Sequence, residues 1–168
     1  MSRNDRQWQY WLFSALSALL LAVLVWFGLN YFSRVQADVE AGDLLELRQT
    51  LLADPASLRG NWLRTLNPLV QDVQGDLVWS AGKQLGVMRF VDLPEPKRGT
   101  FYHLWLYDAR GEGNEPVSGA VFRRGSGDGE WFTSFKTNAE VIEPYKFELK
   151  LELESENLPD QILLMVQP

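Results

Sequence analysis

Residues Gly99 to Gly111 read GTFYHLWLYDARG, and the middle of this stretch is apolar or aromatic on both of its alternating faces. In an extended chain successive side chains point to opposite sides. Tyr102, Leu104 and Leu106 therefore share one face, while Phe101, His103, Trp105 and Tyr107 share the other. Aromatic residues favour this setting. A strand with no fully polar face belongs inside a sheet, and Asp108 to Gly113 supplies turn chemistry beyond it.

Outward from this strand the same logic finds six more. Asp76 to Ser80 and Leu85 to Val91 precede it, the second with its alternation broken near Gly86, which predicts a bulge. LPEPKRG, Leu93 to Gly99, is the turn into the central strand. Val117 to Arg123 and Glu130 to Lys136 flank the glycine-rich hairpin loop RRGSGDG. In Tyr145 to Glu154, Phe147, Leu149, Leu151 and Leu153 alternate with Glu148, Lys150, Glu152 and Glu154, which predicts one buried face and one wet face. Gln161 to Val166 closes the chain. About seven short strands at roughly 8 to 12 residue spacing predict an all-β domain over 75–168, an antiparallel β-sandwich.

The region ahead of it is of another kind. Leu12 to Leu29 is an almost unbroken apolar run with Trp8, Tyr10 and Trp11 on one side and Trp26, Tyr31 and Phe32 on the other. About 20 apolar residues cross a bilayer, and aromatic belts mark its interfaces. The run predicts one N-terminal transmembrane helix over 11–33, with a tail over 1–10. A cleaved signal peptide is the rival reading, since Val35, Gln36 and Ala37 look like a cleavage site, but the run exceeds the ~7 to 15 residues of a signal core. Arg3, Arg6 and the amino terminus outweigh Arg34, which places the tail in the cytoplasm and the rest outside it. Within the run, Ser14, Ala18 and Ala22 have the small-xxx-small spacing that admits close helix packing and self-association in lipid; lipid-facing small residues are the alternative. Over 34–74, Val39, Leu44, Leu47, Leu51 and Leu52 predict a short juxtamembrane amphipathic helix ending at Asp54 and Pro55. Trp62, Leu63, Leu66 and Leu69 follow in a linker whose apolar residues either pack on the domain or lie on the membrane.

Charge and composition exclude several functions. Of 16 basic and 22 acidic residues, 13 and 21 lie beyond Arg34. A surface so acidic repels phosphate backbones and excludes nucleic acid as a partner. With no cysteine there is no disulfide, thiolate nucleophile or cysteine-ligated zinc. His103 is the only histidine and has no second histidine with which to share a metal. Glu148, Glu152, Glu154, Glu156 and Asp160 form the densest acidic group, but along a strand face rather than in a cation-binding loop. Gly125, Gly127 and Gly129 lack the lysine and the following helix of a phosphate loop. Ser80, Ser118, Ser126 and Ser134 have no nucleophile-elbow context, and a serine triad would have to recruit strand-bound His103. The residues therefore predict no catalytic, cofactor or metal site and no enzyme. The stripe Phe101, His103, Trp105 and Tyr107 is left either covered by the chain itself or free to dock a partner.

An ordered series of short motifs resembles the C-terminal, extracytoplasmic domain of the anti-sigma-K factor (RskA) family. GDLVWS (Gly75 to Ser80) resembles its opening strand, DLP (Asp92 to Pro94) its leucine-proline turn, and YHLW (Tyr102 to Trp105) its tyrosine-x-leucine-tryptophan strand. PVSGAVF (Pro116 to Phe122) resembles its small-residue strand, and LELE (Leu151 to Glu154) its late strand ending in glutamate. Two features depart from the family. Ser155, Glu156, Asn157 and Leu158 stand where it commonly has a proline and paired glycines, and only about ten residues precede the apolar run, without the usual cytoplasmic sigma-binding domain. The resemblance implies a single-pass protein of the bacterial inner membrane, with a periplasmic sandwich acting through protein contacts in signal transduction and regulation of transcription. A structural or assembly subunit of an envelope membrane complex is the alternative.

Overall fold

The computed structural model describes residues 42–110, 115–123, 129–154 and 160–168. The chain divides into two units at Glu40/Ala41. The predicted span, Ser14, Ala18 and Ala22 all lie outside the described residues. Among the described residues no helix is long and apolar enough to cross a membrane.

After the helix α1, residues 42–53, the described chain forms nine strands. In order they are β1 (Leu58–Asn61), β2 (Leu63–Arg64), β3 (Gln74–Ser80), β4 (Leu85–Val91), β5 (Thr100–Asp108), β6 (Val117–Phe122), β7 (Glu130–Lys136), β8 (Pro144–Leu153) and β9 (Gln161–Val166). They make two antiparallel sheets, a four-stranded one ordered β1-β3-β4-β7 and a five-stranded one ordered β2-β9-β8-β5-β6. All seven strands expected from sequence are present. The stretch Gly99 to Gly111 supplies β5, an interior strand, although β8 holds the middle of its sheet.

The core lies between the sheets. Tyr102, Leu104 and Leu106 point into it from β5, Phe147 and Leu149 from β8, and Trp79, Met88 and Phe90 from the facing sheet. A second, smaller cluster forms on the outer side of the four-stranded sheet, where Leu51 of α1 meets Val78 and Val87, with Leu47, Leu52 and Phe132 around them. Arg48 of α1 adds an ion pair to Asp76 of β3 at 2.5 Å, and Asp76 also pairs with Arg89 of β4 at 2.7 Å. Helix α1 is thus amphipathic as its sequence predicts, and its apolar side is used against the sheet. Its last residue is 53, immediately before Asp54 and Pro55.

Three expectations are corrected. First, residues 58–64, read as linker, form β1 and β2 and carry the chain from one sheet to the other. Trp62 is the pivot between them. It is 7% exposed, stacks on Phe90 with centroids 5.3 Å apart, and donates its indole N–H to the Arg89 carbonyl at 3.2 Å. Trp62 therefore packs on the domain, while Leu66 stays fully exposed. Second, there is no bulge at Gly86: β4 keeps continuous register with β3 and β7. Gly86 instead makes room for the Phe135 ring, whose Cζ would lie 2.2 Å from an added Cβ. Third, the face of β8 predicted to be wet is partly closed, and Glu148 is only 5% exposed.

Candidate functional site

The outer face of the five-stranded sheet carries Phe101, His103, Trp105 and Tyr107 of β5 side by side, as the period-two reading requires. His103 is buried and the other three are half-buried. The imidazole is packed between neighbours, 4.0 Å from the Trp105 ring and 6.5 Å from that of Phe101 by centroid. Tyr107 faces Tyr145 at 6.2 Å.

No further layer of described strands covers these rings; charged side chains from β8 lie among them instead. The register sets Glu152 opposite Phe101, Lys150 opposite His103, Glu148 opposite Trp105 and Lys146 opposite Tyr107. Each carboxylate leans along the strand to β5 side chains beyond the one it faces. His103 Nδ1 lies 2.9 Å from Glu152 Oε2, and the Trp105 indole N–H donates to Glu152 Oε1 at 2.7 Å. The Tyr107 hydroxyl donates to Glu148 Oε2 at 2.6 Å, while Lys146 Nζ is 2.8 Å from Glu148 Oε1 and 3.8 Å above the Tyr107 ring. The stripe and the acidic strand, separate features in the sequence, are one hydrogen-bonded surface.

On the other side β6 contributes Ser118, and a bulge puts it there. Register with β5 runs Tyr102↔Phe122, His103↔Val121 and Leu104↔Ala120, then shifts so that Trp105 faces Ser118. Gly119 is the extra residue. Without the shift Ser118 would stand opposite Leu106 and point into the core; with it, Ser118 joins the His103 and Trp105 face. A Cβ at Gly119 would lie 2.6 Å from Leu106 Cδ1 and 3.1 Å from Leu104 Cδ2, so the turned-in position has little room for a side chain. Ser118 Oγ is 2.8 Å from His103 Nε2.

Two carboxylates on this sheet have electrostatics that acid should expose. Burial alone would raise Glu148, but the hydrogen bonds from Lys146 and Tyr107 outweigh it and hold the carboxyl below its ordinary value. The Tyr107 phenol is pushed well up, by burial first and then by its bond to Glu148. Asp108, at the end of β5, follows the same pattern: burial opposes ionisation, and the backbone N–H groups of Ile142, Arg110 and Glu143 together overcome it. The Ile142 and Glu143 bonds, 2.8 and 2.9 Å long, tie the end of β5 to the approach to β8, and the Arg110 bond, 3.1 Å, closes the turn after β5. A carboxyl whose folded pKa is depressed stabilises the fold above the unfolded value and loses that contribution as pH falls through the folded one. The urea midpoint should therefore fall on acidification below about pH 4, the ordinary carboxylate range. The pair Glu148→Gln and Asp108→Asn should be less stable at pH 7 and show a flatter acid dependence. An unchanged slope would remove these two groups from the account.

The sequence reading named four of the residues gathered here as a docking stripe and set Glu148, Glu152 and Ser118 aside. The strand register and the bulge bring them together. The only advance signal for Ser118 was the glycine after it, inside a strand. Among the described residues no group of three or more histidine and acidic side chains could hold a metal ion.

The chain is thus an antiparallel two-sheet sandwich with an aromatic and carboxylate outer face, preceded in sequence by an apolar run. The family model described as Anti-sigma-K factor rskA, C-terminal, matches residues 12–141, and the chain belongs to that family. The match takes in the apolar run, α1 and β1 to β7, and stops short of β8, where the LELE motif lies. No curated protein and no solved structure matches the chain.

Proposed function

We propose that this chain is a membrane-anchored, extracytoplasmic contact module that regulates sigma-factor-dependent transcription by binding a protein partner. The observation that carries this reading is the family match over 12–141, which runs without interruption from the apolar stretch into the sandwich. The C-terminal domain of this family is typically extracytoplasmic. On this reading Leu12 to Leu29 spans the inner membrane with the amino terminus in the cytoplasm, and the sandwich receives the signal in the periplasm. The half-buried rings of Phe101, Trp105 and Tyr107 are the contact surface. Trp105 and Tyr107 are held by hydrogen bonds, so docking orders little that is not already ordered, and aromatic anchors of this kind dominate interface energetics.

A reporter active only after export, fused behind Pro168, should be active; inactivity in a well-expressed fusion would overturn the topology. A photocrosslinking residue at Trp105 of the full chain in membranes should capture a specific partner that the same residue at Ile142, exposed but off the stripe, does not. Capture of a sigma-pathway protein supports the regulatory reading. Capture of a transport or envelope assembly favours a structural subunit, and equal capture from both positions would remove the stripe as the contact surface.

A further inference from the structure

The outer face holds an arrangement that the contact role does not require. Glu152, His103 and Ser118 lie in one line, with carboxylate to Nδ1 at 2.9 Å and Nε2 to hydroxyl at 2.8 Å. Both distances are within reach for proton transfer. The order matters as much as the lengths. Glu152 accepts the Trp105 N–H on Oε1 and, as a carboxylate, can only accept on Oε2. In the neutral ring His103 Nδ1 therefore carries the proton and Nε2 presents its lone pair to the Ser118 hydroxyl, the tautomer a general base needs.

Here the inner nitrogen meets a half-buried carboxylate, while the outer one meets a hydroxyl that is itself exposed. An exposed hydroxyl needs no imidazole, since water satisfies it. The sheet nonetheless gives up a regular ladder pair at Gly119 to turn Ser118 onto this face. The Glu152 carboxylate is fixed in turn by Trp105, so two side chains orient the base before any substrate arrives.

We propose that Ser118 is an activated nucleophile, with His103 as its general base and Glu152 and Trp105 as positioning residues, and that it accepts acyl groups from esters with an apolar acyl part. Ser118 Oγ attacks the ester carbonyl carbon, its proton moves to His103 Nε2, and the carbonyl electron pair shifts to oxygen. Collapse of that intermediate breaks the bond to the leaving oxygen, which takes the proton from Nε2 and departs as an alcohol. The acyl group stays on Ser118 until water, activated by the same nitrogen, releases it as the acid. The half-buried ring of Trp105, opposite Ser118 in register, offers an apolar bed to the acyl part.

This chemistry does not rest on the contact role and is tested apart from it, on the full chain in detergent. A fluorophosphonate probe should label Ser118, forming the O–P bond as fluoride leaves, and Ser118→Ala should abolish the label. Glu152→Gln should slow labelling by about a hundredfold or more, with the far-UV spectrum unchanged. A second readout needs no acyl substrate. Because the chain has no cysteine, Ser118→Cys carries a single thiol, and pairing with the imidazole should make it alkylate at neutral pH about tenfold faster than Ser134→Cys, an exposed control on β7. Adding Glu152→Gln should remove that advantage. Failure of the probe to label Ser118, a thiol no faster than the control, or indifference of both to Glu152→Gln would each overturn the proposal.

Discussion

Replacing Leu104 with alanine is expected to cost about 2 to 5 kcal/mol of stability, from lost transfer energy and the cavity left behind. Leu104 is fully buried and stands between Leu149 of β8 and Ala120 of β6. On the β6 side its neighbours are Ala120 and Gly119, neither of which has a side chain able to move into the space. The sheet there is held by the bulge, and collapse would have to disturb it. The loss should accordingly fall in the upper half of that range. Urea unfolding of the full chain in detergent, followed by tryptophan fluorescence, would show a lower midpoint with the slope unchanged. A fragment beginning at Gly75 is unsuitable, since it lacks β1, β2 and Trp62. A loss below about 1 kcal/mol would place the core on the other face of β5.

The same strand shows how far the sequence could be read. Period-two alternation in β5 separates the core face from the stripe correctly, and the six other strands it anchors were legible because turn residues bracket each one. β1 and β2 were not. They are four and two residues long, Gly60 and Asn61 interrupt any apolar pattern, and both pair with strands distant in sequence: Leu58 with Trp79, and Leu63 with Met165. Gly60 has a reason that only the fold reveals, because a Cβ there would lie 2.2 Å from Val166 Cγ1. Glu148 and Glu152 were misjudged for a related reason. A carboxylate on an alternating strand is wet by default, and what closes over these two is a neighbouring strand whose register no local pattern specifies. At Ser118 alternation itself misleads, since one extra residue reverses the facing of everything before it in the strand. The sheet was readable from composition and period; the site depends on register, which is a long-range property.

Gly75 gives the second large effect and separates two causes within it. Its φ is +143°, in a region that side chains other than hydrogen rarely enter, which costs about 1 to 3 kcal/mol. An added Cβ would also lie 2.0 Å from the Arg89 carbonyl oxygen, 2.9 Å from that carbonyl carbon and 3.2 Å from Phe90 Cα. These are backbone atoms of the paired strand, so no side-chain rotation relieves the clash and β3 must move away from β4. That movement would disturb the Trp62 N–H bond to the Gly75 carbonyl, now 3.1 Å, and the Arg89 to Asp76 ion pair. Gly75→Ala should therefore cost roughly 3 kcal/mol or more, the strain and the overpacking together. Gly99 supplies the control: its φ is +80°, yet an added Cβ would meet nothing within 4 Å, so Gly99→Ala should show the backbone cost alone, about 1 kcal/mol. Gly82, with open space and no such φ, should tolerate alanine with little change. Urea midpoints for the three variants should fall in that order. If Gly75→Ala proves no worse than Gly99→Ala, the close approach of β4 to β3 at Arg89 is not what demands glycine at the start of the sandwich's opening motif.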